Sequence, residues 1–180
     1  QAVAELVSLG ATAGQSVADV ARSCGIVITM LPSSVEVEKL SYGADGIFTN
    51  AAKDTILMDM STIDPLATDR LSAEANKHGL TMVDAPVGRL AEHADRAECL
   101  FMVGASDADF KTVTPLLNAM GNSTFHCGPV GTGGRTKLVN NYVAITLTQV
   151  NGEALALSQR FGLDITKTLA VLLGTAANHG

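Results

Sequence analysis

The sequence predicts an α/β fold in which helices cover both faces of a mostly parallel sheet, followed by the start of an all-helical domain. Three observations support this prediction. Apolar runs of strand length alternate with helical patterns as far as residue 128. Residues that begin and end helices stand at the borders of those patterns. After Pro129 the alternation stops and helical periodicity takes over, so we place a domain boundary between residues 129 and 130.

Strand and helix signals follow one another in order through the first domain. Residues 25–31 form an apolar, β-branched run typical of a strand buried on both faces, and Pro32 ends it. Ser16 suits the N-cap of a helix, Asp64 followed by Pro65 is a common helix start, and Gly79 suits a helix end. In chain order we predict helices over 1–9 and 17–23, a strand over 25–31, a helix over 35–40, a strand over 55–60, a helix over 65–78, strands over 80–83 and 100–103, a helix over 107–120 and a strand over 123–127.

The second domain begins with a glycine-rich stretch, residues 131–134, that we expect to be flexible. A long helix is predicted from residue 136 to 161, and a second helix begins after Asp164, which is a good N-cap, and runs to residue 173. Two helices are too few to form a stable core by themselves.

Composition excludes several classes of function. The chain has 180 residues, 47% of them hydrophobic, and a net charge of −6. An acidic chain suits neither nucleic acid nor an anionic membrane surface. No apolar run reaches the roughly 18 residues that span a bilayer, and residues 1–20 lack the pattern of a signal peptide, so we predict a cytoplasmic protein. The histidines and the three cysteines have no metal-ligand spacing, and we predict no metal site.

Unusual residues follow three of the predicted strands. These segments are 30–34, 59–62 and 84–89, and each combines small or polar side chains with a turn. Ligands of open parallel sheets bind outside the carboxyl ends of the strands, so these segments are candidate binding loops. Each segment taken singly is better explained as ordinary turn chemistry.

Lys137 is the candidate catalytic residue. It lies near the start of the long helix, and Asn140 and Asn141 follow three and four positions later on the same helical face. Partial burial lowers the pKa of a lysine towards neutrality and makes it a useful proton donor. The alternative is a solvated lysine beside exposed amides.

Arg89 is the candidate anion-binding residue. It follows Gly88 at a strand end, where a guanidinium can hold an anionic group through two hydrogen bonds. The alternative is a surface salt bridge with Glu92.

Four ordered segments together resemble the β-hydroxyacid dehydrogenases, which include the 3-hydroxyisobutyrate dehydrogenases. The segments are Met30-Leu31-Pro32, Asp59-Met60-Ser61-Thr62-Ile63, Asp84-Ala85-Pro86-Val87 and Gly131-x-Gly-x-x-x-Lys137-x-x-Asn140-Asn141. The resemblance implies a partial, Rossmann-like NAD(P)-binding domain over 1–129, the beginning of a helical C-terminal domain over 130–180, and a homo-oligomer. Members of the family begin with a strand and a G-x-G-x-x-G turn for the cofactor pyrophosphate. This sequence contains no such turn, and we expect an N-terminal segment to be missing from it.

The resemblance also implies a role for each candidate residue. Lys137 donates the proton to the carbonyl oxygen, and the substrate is a small anionic molecule. The residues implied in substrate binding are Gly88, Arg89, Asn140 and Asn141. Those implied in cofactor binding are Met30, Leu31, Pro32 and Thr62. The cofactor implied is NAD, with NADP as the alternative.

The segment Gly88-Arg89-Leu90 stands where most family members have Ser-Gly-Gly, and it is similar to the sulfolactaldehyde reductases. We therefore expect reduction of 3-sulfolactaldehyde to 2,3-dihydroxypropane-1-sulfonate, with 3-hydroxyisobutyrate or tartronate semialdehyde as the alternative substrates. Ala144, where that subgroup has a hydroxyl residue, and Ala105, where a glycine is usual, depart from the pattern. A non-catalytic binding or oligomerisation module is the alternative from another class, and the presence of Lys137 favours the enzyme.

Overall fold

The computed structural model describes residues 2–175. Helices and strands are interspersed from residue 2 to residue 128, and the described residues after that form helices only. The elements in chain order are α1 (Ala2–Ser8), α2 (Val17–Ser23), β1 (Ile26–Thr29), α3 (Ser34–Ser41), α4 (Ile47–Asn50), β2 (Ile56–Asp59), α5 (Pro65–Lys77), β3 (Thr81–Asp84), β4 (Val87–Gly88), α6 (Ala91–Ala94), β5 (Cys99–Gly104), α7 (Asp107–Met120), β6 (Gly121–Gly128), α8 (Thr132–Arg160) and α9 (Ile165–Leu173).

The sheet is mixed, with three of its five pairings parallel. Strands β1, β2 and β3 run parallel to one another, and β5 and β6 form a second parallel pair. The two groups run in opposite directions, because β3 meets β5 antiparallel through Asp84 and Gly104, and β4 continues that antiparallel pairing. The predicted α/β class with a mostly parallel sheet is confirmed.

Hydrophobic residues on the two faces of the sheet form two separate cores. In β2, Leu57 belongs to one cluster while Ile56 and Met58 belong to the other, because successive side chains of a strand point to opposite faces. Helices α2, α3, α4 and α5 contribute to the Leu57 cluster, and α7 contributes Val113 and Leu117 to the other. Helices therefore cover both faces, as predicted.

Several predicted helix starts are confirmed at the level of single hydrogen bonds. The Ser16 hydroxyl accepts the Asp19 amide at the start of α2, and the Asp64 carboxylate accepts the Leu66 amide at the start of α5. Asp164 caps α9 by accepting the amides of Thr166 and Lys167. Each side chain satisfies a backbone N–H that has no partner inside its own helix.

The prediction for the first strand was wrong in one respect. Residues 26–29 form the strand, but only Val27 and Thr29 are buried, and Ile28 is 41% exposed. Among the described strands, β1 pairs only with β2, so it is an edge strand of the sheet. The exposure of Ile28 shows that one face of β1 is open to solvent. The fully buried apolar strand of this sheet is β2. An apolar run predicts a strand well, but it does not predict its place in the sheet.

The glycine-rich stretch at residues 131–134 was also predicted wrongly, as flexible. Helix α8 begins at Thr132, four residues before the predicted start, so Gly133 and Gly134 belong to its first turn. Glycine is a poor helix former, but here the turn is stabilised by a carboxylate from the sheet, described below. The short helices α4 and α6, four residues each, were not predicted.

The chain forms two compact units that divide between Leu138 and Val139, inside α8. The predicted boundary between residues 129 and 130 lies before this helix and stays a prediction about domain organisation. In the second unit many large apolar side chains are exposed, including Tyr142, Ile145 and Phe161. Within residues 2–175 no helix combines the length and the apolarity needed to cross a bilayer.

Candidate active site

The carboxyl ends of β1, β2 and β3 lie side by side. Thr29, Asp59 and Asp84 are register partners across the three strands, and each ends its own strand. The three segments singled out from the sequence therefore leave the sheet at one edge, as the parallel arrangement predicts.

A buried hydrogen-bond network joins the first two of these strand ends. The Thr29 hydroxyl donates to Asp59 Oδ1 at 2.9 Å, and the Ser61 amide donates to the same oxygen at 3.1 Å. The Ser61 hydroxyl in turn accepts the Leu31 amide at 2.8 Å. Thr29, Asp59 and Ser61 are all buried. The network fixes the turn after β1 against the turn after β2.

The residues predicted to bind cofactor lie on these two turns. Met30 is 66% exposed, Pro32 and Thr62 are exposed, and Leu31 is half-buried against the core. An apolar side chain that is exposed beside a hydroxyl, on a turn held by buried hydrogen bonds, forms a surface suited to an apolar ring with a polar sugar attached.

Asp84, at the end of β3, holds the start of α8. Its carboxylate is buried, with Oδ1 accepting the Gly131 amide at 2.6 Å and Oδ2 accepting the Gly134 amide at 2.7 Å. Burial raises the pKa of this carboxyl, whereas the two backbone hydrogen bonds oppose that rise and the nearby Asp59 adds to it. The strand ends and the start of α8 thereby form one connected structure.

Lys137 lies one helical turn beyond Gly133 on α8. Residues four apart share a helical face, and Gly133 packs against the carbonyl oxygens of Met102 and Asp84, so Lys137 lies on the face of α8 that meets the sheet. Its side chain is half-buried, and burial lowers its pKa. The ammonium group makes no hydrogen bond or ion pair with any residue between 2 and 175. A half-buried lysine without a counter-ion is the state that the proton-donor prediction requires.

Arg89 lies at a different place on the sheet. Gly88 pairs with Leu100 near the start of β5, whereas Asp84 pairs with Gly104 at its end, so Arg89 stands about 15 Å along the strand from Asp84. Its guanidinium donates to the Glu98 carbonyl oxygen at 2.6 Å and to Asn122 Oδ1 at 2.9 Å. Both acceptors are neutral, and the alternative ion pair with Glu92 is not formed.

The backbone of Arg89 is in the left-handed region, with a φ of 73°. Glycine adopts this conformation freely, whereas other residues do so at a cost. The glycine that the resemblance leads us to expect at this position would adopt this conformation without that cost. Gly88 is buried, and a Cβ there would press on the Leu100 side chain.

Asn140 and Asn141 lie further along α8, in the second compact unit. Asn140 is exposed, Asn141 is half-buried, and their side-chain amides approach each other at 3.5 Å. Their predicted part in substrate binding stays a prediction, as do the roles of the other site residues.

Sequence reasoning missed the roles of Ser61 and Asp84. Both stand in segments that the sequence singled out, but the acceptors and donors they contact come from other parts of the chain. Asp84 is 47 residues from Gly131 and 50 from Gly134. A carboxylate that ends a buried strand is the one signal that pointed to it.

No metal centre is found in the described part of the chain, where no three His, Cys, Asp or Glu side chains gather closely enough to hold an ion. Cys99 is buried, Cys24 and Cys127 are half-buried, and all three are free thiols. His179 lies outside the described residues.

Comparison with known proteins is consistent with this geometry. Residues 1–128 match the family described as the NAD binding domain of 6-phosphogluconate dehydrogenase. The chain is 37% identical over 180 residues to 3-sulfolactaldehyde reductase of Escherichia coli K12, covering all of this chain and 60% of that protein. It is 37% identical over 172 residues to the NAD-dependent L-serine dehydrogenase of Pseudomonas aeruginosa, covering 96% of this chain and 57% of that protein.

A solved structure shares the fold closely. The 3-hydroxyisobutyrate dehydrogenase of Mycobacterium tuberculosis, determined with L-serine, superposes with a TM-score of 0.92 at 29% identity, covering 98% of this chain and 60% of that one. The chain thus spans about three-fifths of the length of these relatives. The resemblance inferred from the four ordered segments is confirmed.

Proposed function

Because the chain belongs to the β-hydroxyacid dehydrogenase family, with an NAD-binding domain over residues 1–128, we propose that the protein is an NAD(P)-dependent oxidoreductase. Its substrate is a small 3-hydroxy acid or the corresponding semialdehyde. The observation that carries the proposal is Lys137, which is half-buried, has no counter-ion among the described residues, and lies on the face of α8 that meets the sheet.

The strand ends suit the nicotinamide half of the cofactor. Met30, Leu31 and Pro32 offer an apolar surface, and Thr62 offers a hydroxyl for the ribose. The Ser61 hydroxyl accepts the Leu31 amide, so a hydrogen bond joins the turns that carry this surface before any ligand binds. When bound, the nicotinamide exchanges a hydride with the substrate carbon.

Lys137 handles the proton of the reaction. In reduction the substrate oxygen gains negative charge, and the Lys137 ammonium donates its proton to that oxygen to leave an alcohol and a neutral amine, which water reprotonates. In oxidation the neutral amine accepts the alcohol proton. Burial lowers the pKa of Lys137, so the neutral form is reached at a lower pH than for an exposed lysine, and one group can serve both directions.

The charge of Arg89 is the feature that favours 3-sulfolactaldehyde as the substrate. Among residues 2–175 its guanidinium bonds only neutral acceptors, the Glu98 carbonyl and the Asn122 amide oxygen, so its charge remains available to an anion. A sulfonate keeps its negative charge near neutral pH and must be met by a cation or by several donors when it is desolvated. A forked guanidinium can satisfy two of its three oxygens.

The distance of Arg89 from Asp84 favours a second candidate. The proposed proton transfer from Lys137 places the substrate near the start of α8. The backbone of Arg89 lies about 15 Å from Asp84 along the strand, so Arg89 does not reach a small substrate there in this arrangement. A carboxylate substrate such as 3-hydroxyisobutyrate or tartronate semialdehyde would then be held by other groups, among them the predicted Asn140 and Asn141.

The role of Lys137 is tested by steady-state kinetics of the full-length protein. Lys137→Ala should lower kcat by about 10²- to 10⁴-fold, the usual contribution of a general acid, and leave cofactor affinity near wild type. Lys111→Ala removes an exposed lysine of α7 and serves as the control. Wild-type kcat in the Lys137→Ala variant, or no nicotinamide turnover by the wild type, would favour the non-catalytic module instead.

Substrate choice is tested with Arg89→Ala and Arg89→Lys on sulfolactaldehyde and on a carboxylate semialdehyde of similar size. Loss of a charge-assisted contact should lower kcat/KM for the sulfonate by about 10- to 150-fold, mostly through KM, and lysine should restore only part of it. Arg96→Ala removes a second arginine that contacts Glu98 and is the control. If Arg89→Ala is as active as wild type on the sulfonate, the carboxylate substrate is favoured.

Homo-oligomer formation and a cytoplasmic location are part of the same proposal. Size-exclusion chromatography with light scattering, and fractionation of cells that produce the full-length protein, test them.

A further inference from the structure

The Asp84 carboxylate lies beneath the start of α8 and takes the place of an N-cap. The first amides of a helix have no acceptor within the helix, and the residue before α8 is Gly131, which has no side chain to supply one. Asp84 accepts the Gly131 and Gly134 amides from the end of β3, one with each carboxylate oxygen. The helix cap is therefore provided by the sheet.

Glycines bring the helix and the strand ends unusually close. A Cβ built on Gly104 would lie 2.2 Å from Asp84 Oδ1, and one built on Gly133 would lie 2.9 Å from Asp84 Oδ2 and 2.3 Å from the Met102 carbonyl oxygen. Asp84 as a whole residue is 3% exposed. These contacts leave the first turn of α8 no room to shift towards the sheet.

The chemistry of the group also restricts its orientation. An ionised carboxylate has only acceptors, so both oxygens can face backbone N–H groups at once. An asparagine in the same place would turn an NH₂ group towards one of the two amides. The arrangement therefore depends on the carboxylate itself and on both of its oxygens.

Lys137 depends on this turn for its position. It is three residues after Gly134, which bonds Asp84, and four residues after Gly133, which contacts the sheet. Helical neighbours at these spacings lie on one face, so a movement of the first turn is carried directly to the Lys137 side chain. The ammonium group itself makes no hydrogen bond or ion pair with the described residues, so the helix alone determines where it lies.

We propose that Asp84 is the positioning residue for Lys137: by bonding the Gly131 and Gly134 amides it fixes the first turn of α8, and with it the ammonium group that faces the reacting oxygen. The inference rests on the proposed function, because the position of Lys137 matters for the reaction only if Lys137 transfers the proton. Asp84 acts through the helix and takes no part in the proton transfer.

A double-mutant cycle in the full-length protein tests this. Asp84→Asn alone should lower kcat by about 10- to 100-fold, since a displacement of about 1 Å at a reacting group has effects of this size, and leave KM for the cofactor within about twofold of wild type. In the Lys137→Ala background the same change should lower kcat by less than about threefold, because there is no longer an ammonium group to position. Asp164→Asn changes the N-cap carboxylate of another helix, α9, and is the matched control.

Amide hydrogen exchange tests separately whether Asp84 holds the first turn of α8. The Gly131 and Gly134 amides should exchange slowly in the wild type and faster in Asp84→Asn. If Asp84→Asn does not fold, Asp84→Ser, which keeps one short acceptor and adds no NH₂ group, replaces it in the cycle.

Each remaining outcome overturns a different statement. Wild-type kcat in Asp84→Asn or Asp84→Ser, or full multiplication of the two effects in the double variant, would overturn the positioning role while the proposed function stands. Wild-type kcat in Lys137→Ala would overturn the proposed function, and the positioning role with it.

Discussion

Gly133→Ala adds one methyl group at the closest contact between α8 and the sheet. The new Cβ would lie 2.3 Å from the Met102 carbonyl oxygen and 2.8 Å from that of Asp84. Carbon–oxygen contacts of this kind need about 3.3 Å, so the first turn of α8 must move by about 1 Å. Both obstructing atoms belong to the backbone of buried strands and cannot turn aside.

The cost follows from the hydrogen bonds that the movement breaks. The Gly131 and Gly134 amides lie 2.6 and 2.7 Å from the Asp84 carboxylate, and a displacement of that size takes both beyond bonding distance. A hydrogen bond to a charged group contributes about 1.5–3 kcal/mol, and alanine recovers up to about 1 kcal/mol as a better helix former. We therefore expect the free energy of unfolding to fall by about 2–5 kcal/mol.

Gly152→Ala is the matched control, because it makes the same substitution in the same helix. A Cβ at Gly152 meets nothing within 4 Å, so this variant should be more stable than wild type by about 0.5–1 kcal/mol. Urea denaturation of the full-length protein, followed by far-ultraviolet circular dichroism, measures both variants. If Gly133→Ala unfolds within about 1 kcal/mol of wild type, the helix accommodates the methyl group and the close-packing argument is wrong.

Three further predictions concern charged and polar groups. Thr29→Val removes the hydroxyl that donates to the buried Asp59 carboxylate. We expect the free energy of unfolding, measured by urea denaturation, to fall by about 1–3 kcal/mol and the KM for the cofactor to rise. An unchanged KM would mean that the turn after β1 is held without this network. The ion pair with Arg135 lowers the pKa of Asp69. The stabilisation from this pair is present above the unfolded pKa of Asp69 and is lost as the pH falls through the folded pKa. Because both side chains are exposed, Asp69→Asn should change the thermal midpoint little at pH 7 and should flatten the dependence of the midpoint on pH below about 4. Burial lowers the pKa of Lys137, so between the folded pKa and 10.5 the unfolded chain binds more protons than the folded chain, and stability rises with pH in that range. Lys137→Met should remove that rise and keep the thermal midpoint at neutral pH at or above that of wild type. A lower thermal midpoint would show that the lysine stabilises the fold.

The difference between expectation and structure is clearest at Arg89. Its position after Gly88 at a strand end was readable from the sequence, and so was its suitability for an anion. Its guanidinium partners, the Glu98 carbonyl and Asn122, were not, because Glu98 directly precedes β5 and Asn122 lies in β6. Glu92, three residues away and the partner in the alternative prediction, makes no bond to it. Proximity in sequence was a poor guide for a side chain long enough to reach a neighbouring strand.

The order of strands and helices, the capping residues Ser16, Asp64 and Asp164, and the family membership could all be predicted from the sequence by itself, because hydrophobic periodicity, local hydrogen bonding and motif spacing are written along the chain. The direction of β5, the open face of β1 and the pairing of Asp84 with the start of α8 were decided by the tertiary structure. Periodicity shows that a face is buried, but it does not show which element covers it or in which direction a neighbouring strand runs. The partners of Asp84 are 47 and 50 residues away, and only the folded sheet and helix bring them within hydrogen-bonding distance of it.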